Sequence, residues 1–182
     1  FAYNYSFERG IPQKNSSGLA LCDISIHGHY SYQNLFEGNY AQKMDYADYW
    51  GPTGPYTVAF RNRFAADVKV NDHSEQVVIA ANIFDNEGIT VDETCIDVYQ
   101  SGNVIEGKVV YQEAAPVAFP VSLFYATAPE FWGEQPWPIY GPEDAFRGEP
   151  AKLPAQIRFE HRYAKRVDMK RPTLDKSAPE AP

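Results

Sequence analysis

The chain has 182 residues, 44% of them hydrophobic and 22% charged, which excludes an intrinsically disordered protein and fits one globular domain with or without a tail. Its formal net charge of −8 disfavours binding to phosphate backbones. The most apolar stretch, residues 114–128, is too short and too proline-broken to span a membrane.

Thirteen Tyr, eleven Phe and three Trp tilt the composition toward sheet, because aromatic side chains suit a pleated, half-buried surface. Residues 1–18 carry Gly, Pro and Ser punctuation and read as an irregular N-terminal arm. From Leu19 the pattern takes a period of two. Cys22, Ile24, Ile26, Tyr30 and Tyr32 share one face, while Asp23, Ser25, His27 and His29 share the other. Tyr40, Met44 and Ala47 recur at helical spacing, so residues 37–50 read as the one helix, stopped by Gly51-Pro52-Thr53-Gly54-Pro55.

Residues 56–70 alternate without interruption and predict a single long strand. Residues 76–84 read as a buried central strand, and Asp85-Asn86-Glu87-Gly88 as a hairpin connection. Further strands are expected over residues 89–99, 104–112 and 117–127, the last at an edge because of Pro120. Residues 129–154 form a long Trp-, Pro- and Gly-rich loop with a helical turn at 143–146, and residues 155–166 alternate again. No internal repeat stands out. The expected fold is all-β, an antiparallel β-sandwich or jelly roll with one short helix, a closed barrel being the alternative. It comprises an arm at 1–18, one domain at 19–171 and a proline-rich tail at 172–182.

Four features carry functional readings. His27 and His29 are two apart on a strand and point the same way, and Asp23 lies on their face; the three suit a transition metal such as zinc or non-haem iron. The acidic run Asp85, Glu87, Asp92, Glu93 and Asp97 offers oxygen ligands for calcium but lacks the spacing of a calcium loop. Trp132, Trp137 and Tyr140 supply rigid contact area for a glycan or a protein partner if exposed. The carboxylates among them also allow a glycosidase, although no pair is singled out. Finally, residues 1–151 hold eight Lys and Arg against 20 acids, a net −12, whereas residues 152–182 carry a net +4. Arg158, Arg162, Lys165, Arg166, Lys170 and Arg171 therefore form a basic arm that can dock on an acidic surface of its own or a neighbouring chain.

Cys22 and Cys95 form one disulfide in an exported protein or two thiols in an internal one. The sequons Asn4-Tyr5-Ser6 and Asn15-Ser16-Ser17, with Phe1 in place of Met, point to an extracellular or periplasmic protein. Phosphate-cradling loops and nucleophile elbows are absent from the sequence. The leading expectation is a non-enzymatic recognition module, a subunit of a homo- or hetero-oligomeric protein assembly working through the aromatic loop and the basic arm. The alternatives are a secreted carbohydrate-binding module using Trp132, Trp137 and Tyr140, and a metal-dependent jelly-roll enzyme centred on His27 and His29.

Overall fold

The computed structural model describes residues 1–6, 22–47, 50–71, 73–146 and 151–167. The chain is mostly β, but it is a parallel β-solenoid of about four turns rather than an antiparallel sandwich or jelly roll. Thirteen short strands occur among the described residues: β1 Ile24–His27, β2 Leu35–Glu37, β3 Tyr40–Ala41, β4 Met44–Ala47, β5 Thr57–Phe60, β6 Arg63–Phe64, β7 Val68–Val70, β8 Val77–Ala80, β9 Ile83–Phe84, β10 Ile89–Val91, β11 Tyr99–Ser101, β12 Asn103–Ile105 and β13 Lys108–Val110. They stack into three sheets: β1-β4-β7-β10 (sheet 1), β2-β5-β8-β11 (sheet 2) and β3-β6-β9-β12-β13 (sheet 3). Every pairing between strands is parallel except the terminal β12–β13 hairpin.

The corner between sheets 2 and 3 explains this topology. Residues Tyr3, Gly38, Arg61, Ala81 and Gly102 all have left-handed backbone, with φ of 59°, 64°, 50°, 56° and 65°. Each is followed by an asparagine: Asn4, Asn39, Asn62, Asn82 and Asn103. Asn4, Asn39, Asn62 and Asn82 each donate both the backbone N–H and Nδ2–H to the Oδ1 of the next, at 2.9–3.0 Å. Bonds of this kind satisfy the amides exposed where the chain turns, in a place water does not reach. The last four asparagines are 23, 20 and 21 residues apart, which is the length of one turn. The chain thus has an internal repeat.

The corners account for the other sequence expectations that fail. The alternation across residues 56–70 belongs to three strands, β5, β6 and β7, and the corner at Arg61–Asn62 reverses which parity points inward. Val58 and Phe60 face outward from sheet 2, whereas Phe64, Val68 and Val70 fill the lumen. The helix expected over residues 37–50 is the end of β2 followed by β3 and β4. The hairpin expected at Asp85–Gly88 is the corner from β9 to the parallel strand β10. Residues 155–166 lie in an α-helix, α1 Pro154–Val167, and not in a strand, with Arg158 and Arg162 one helical turn apart on the same face.

The lumen is packed with Ile26, Phe36, Met44, Tyr46, Phe64, Val68, Val70, Val77, Ile79 and Phe84. The outer faces of sheets 2 and 3 are also apolar and are covered by residues 111–146 and 151–159. This strap starts on the fourth turn, where Tyr99 and Ser101 donate to the Glu113 carboxylate. Arg61 then donates to the carbonyl of Pro120 at 2.9 Å on the second turn. Ser122 Oγ and the Leu123 amide donate to Glu37 on the first, and Tyr125 stacks on Tyr3 at 5.9 Å beyond it. Trp132, Ile139, Tyr140 and Leu153 return across sheet 3 over Ile83 and Val104. A 3-10 turn at Pro142–Phe146 contains the expected helical turn.

Burial raises the phenol of Tyr3 to about 12, and it raises Tyr46 and Tyr140 further still. A phenol raised in the folded state and ordinary in the unfolded one leaves stability unchanged below pH 10 and drains it as pH climbs toward the folded value. Each such group then costs up to about 1.4 kcal/mol per pH unit. Stability should be flat to about pH 9 and collapse between pH 10 and 12, with these tyrosines ionising only as circular dichroism is lost. Full tyrosine ionisation with the fold intact would contradict this burial.

Candidate binding surface

With sheets 2 and 3 covered, sheet 1 is where outward side chains meet solvent. Its register lines up Ser25, Asp45, Lys69 and Thr90 on four successive turns. Alternation places these outward while Ile26, Met44, Tyr46, Val68 and Val70 point into the lumen. Asn71 donates to the Asp45 carboxylate. Partial burial holds the Asp45 carboxyl above its ordinary value, with Asn71 and Lys69 pulling it back. Lys43 and Lys69 flank the buried Asp67 at 3.0 and 3.6 Å.

The corner from sheet 1 to sheet 2 carries the larger feature. Residues 28–34 stack on residues 50–56: the Tyr30, Gly54 and Gln33 amides donate to the Pro52, Ser31 and Pro55 carbonyls at 3.0, 3.2 and 3.0 Å. Glycine is required at 51, where φ is +114° and a Cβ would lie 2.0 Å from Nδ1 of His29. Tyr30, Tyr32, Trp50 and Tyr56 on these two stacked loops are 48%, 62%, 63% and 58% exposed. His27, the last residue of β1, meets the Trp50 ring edge-on at 6.2 Å, and His29 meets Tyr30 at 4.4 Å. Rings of this size left half in water on two stacked loops make this corner a candidate contact surface beside the polar ladder of sheet 1.

The residues singled out from sequence are distributed differently. Asp23 does not join His27 and His29. Its carboxylate accepts from Ser6 Oγ at 2.6 Å and from the Gln42 and Lys43 amides at 2.8 and 2.9 Å, which fastens residues 1–6 to the next turns. Among the described residues no group of three or more His, Cys, Asp or Glu is arranged to hold a metal ion. In the acidic run, Asp85 pairs with Arg63 at 2.9 Å and Asp92 accepts from the Thr94 amide and hydroxyl.

Trp132 and Tyr140 are buried, at 2% and 0%, and Trp137 is half-buried; they seal the strap onto the solenoid rather than face a ligand. Trp132 Nε1–H donates to the Gln135 and Pro136 carbonyls at 3.1 and 3.0 Å. Cys22 and Cys95 are not bridged. Arg158 and Arg162 are exposed on α1, which also carries Lys165 and Arg166; Lys170 and Arg171 lie outside the described residues.

Sequence reasoning missed the exposed platform because Tyr30, Tyr32 and Tyr56 fell on the parity assigned to the core and Trp50 closed an expected helix. The usable signal was the Gly- and Pro-rich stretch 51–55 beside four aromatics. No described helix is long and apolar enough to cross a membrane. No protein-family model, curated protein or solved structure matches the chain.

Proposed function

We propose that the protein is a solenoid recognition module that binds an extended oligosaccharide along the corner between sheets 1 and 2. The observation that carries this reading is the set of four aromatic side chains, Tyr30, Tyr32, Trp50 and Tyr56, each about half exposed or more on two stacked loops. Flat rings favour the apolar faces of sugar rings, and adjacent amide, carboxylate, imidazole and hydroxyl groups provide the oriented hydrogen bonds that sugar hydroxyls need. Ser25, His27, Asp45 and Lys69 supply these on the neighbouring sheet. A rigid stack of turns keeps such groups at fixed spacing, which suits a repeating polymer.

Trp50 is 63% exposed while Trp132 is 2% exposed, so tryptophan fluorescence separates the platform from the buried strap. Titration with a panel of neutral and acidic polysaccharides should shift or quench the emission. Trp50→Ala should weaken binding by about tenfold or more, the scale of one lost ring contact. Silence across the panel, or undiminished affinity in Trp50→Ala, would remove this reading.

A further inference from the structure

A second column of left-handed residues lines the corner between sheets 1 and 2. Gln33, Tyr56, Gln76 and Asp97 have φ of 55°, 64°, 51° and 55°. Leu35 pairs with Val58, Thr57 with Val77 and Val78 with Tyr99, and counting back from these registers sets the four residues in one line on four successive turns. Their backbones are tied from turn to turn. The Gln33, Tyr56 and Gln76 amides donate to the Pro55, Gln76 and Ile96 carbonyls at 3.0, 2.9 and 2.8 Å. Glycine adopts this backbone at the least cost, yet it stands at none of the four positions.

At the corner between sheets 2 and 3 the large left-handed residues have an internal role, since Tyr3 bonds to Glu37 and Arg61 to the strap. The side chains of Gln33, Tyr56, Gln76 and Asp97 have no hydrogen-bond or ion-pair partner among the described residues. Gln33, Tyr56 and Asp97 are exposed and Gln76 is half-buried. One residue earlier on each turn stand Tyr32, Pro55, Glu75 and Ile96, of which Tyr32 and Ile96 are exposed and Glu75 and Ile96 form a parallel bridge. Strained backbone that keeps side chains without an internal partner points to an external one. Residues 27–34, 48–56, 71–76 and 92–98 contain no Lys or Arg, while Glu75 and Asp97 bring negative charge to the line.

We propose, on the reading that this corner binds an oligosaccharide, that the ligand is an uncharged, extended β-1,4-linked chain lying along the solenoid axis with one sugar on each turn. Adjacent turns are about 4.8 Å apart, close to the advance of one sugar in such a chain. Successive sugars in it are flipped, so the same edge returns with every second sugar. The column repeats in the same way. Its carboxamides, Gln33 and Gln76, stand on the first and third turns, roughly 10 Å apart by the strand spacing. They exchange hydrogen bonds with the hydroxyls of alternate sugars, and Tyr32, Tyr56 and Ile96 meet the apolar ring faces. An α-1,4-linked chain curls and leaves the line after a sugar or two. A polyuronate meets Glu75 and Asp97 with like charge.

Isothermal titration of the intact protein with cello- and chito-oligosaccharides of two to six sugars, maltohexaose and hexagalacturonate tests this. Affinity for at least one β-1,4 series should rise up to about four sugars, one for each turn of the column, and then level off. Gln76→Gly relieves the left-handed backbone and removes no side-chain bond made inside the chain. The variant should therefore keep its melting temperature while its binding of the six-sugar chain weakens about fivefold or more, the scale of one lost hydrogen-bonding group. Undiminished affinity in Gln76→Gly overturns the axial chain, and where Trp50→Ala still weakens binding it leaves the glycan on the aromatic rings. Maltohexaose or hexagalacturonate binding as tightly as the β-1,4 chains overturns the linkage or the charge. Failure of both β-1,4 series while another polysaccharide quenches Trp50 overturns this proposal alone, and silence from every sugar removes it together with the function it rests on.

Discussion

Asn62→Ala should destabilise the protein by about 3–5 kcal/mol, whereas Asn4→Ala should cost about 1 kcal/mol. The two residues have the same role in the repeat, and they differ in what their removal strands. Asn62 Oδ1 accepts from the Asn39 amide and Nδ2, and its Nδ2 donates to the Phe36 carbonyl and to Asn82 Oδ1. Asn62 is fully buried, so truncation leaves the Asn39 amide without a partner and removes the Phe36 carbonyl's side-chain donor, in a place without access to water. Each stranded group costs about 1–3 kcal/mol, which makes the loss a large part of the 5–15 kcal/mol that holds a typical domain together. No described residue donates to Asn4 Oδ1, and truncating that side chain leaves Asn39 Oδ1 still bonded to the residue 4 amide. Urea denaturation of the two variants measures the difference directly. Equal midpoints would mean that the ladder is not what holds the corner.

The ladder also shows why the solenoid was illegible while its parts were not. Inward and outward parity within β1 and β7 follows from hydrophobic alternation, and the sequence places strands there and at β8. Orientation and stacking depend on a single recurring asparagine, preceded by Tyr3, Gly38, Arg61, Ala81 or Gly102. Left-handed backbone normally advertises itself through glycine, but only two of these five positions have it. Tyr3 and Arg61 occupy the strained position with side chains that bind elsewhere, Tyr3 to Glu37 and Arg61 to the strap. The consensus therefore dissolves at the position where it is usually sought. Turn lengths of 23, 20 and 21 residues hide it further, because extra residues accumulate in the loops between sheets 1 and 2. Those same loops carry the exposed aromatics, so the feature that obscures the repeat also forms the candidate surface.

The outward alternation of sheet 2 was misleading for a related reason. Leu35, Val58, Phe60, Val78 and Ala80 are as apolar as lumen residues because the strap covers them. A strand that is apolar on both faces reads as the centre of a sandwich, and no local signal distinguishes a second sheet from a covering segment far downstream.

Arg61 is the point at which the strap is most tightly held, and Arg61→Met should release it. The guanidinium is 2% exposed and donates to the Pro120 and Tyr140 carbonyls at 2.9 Å, to Glu143 at 2.9 and 3.1 Å, and to the Phe119 carbonyl at 3.4 Å. It ties together two parts of the strap that are about twenty residues apart and lies 5.4 Å from the Phe60 ring. Methionine keeps the apolar stem but strands three carbonyls, a loss of about 3–5 kcal/mol. Glu143 is 46% exposed on its side chain, so Glu143→Gln removes only a hydrated partner and should cost less than about 1 kcal/mol. Gly141→Ala tests the same contact from the other side, because a Cβ there would lie 2.0 Å from Arg61 Nη1. The lumen core is separate from the strap contacts, so both disruptive variants should keep their β circular dichroism. They should also become sensitive to limited proteolysis between residues 114 and 128 and bind a hydrophobic dye at the uncovered face of sheet 2. Cooperative loss of the whole fold in both variants would instead make the strap an integral part of the solenoid, because four turns with two apolar outer faces would then be unable to stand without their cover.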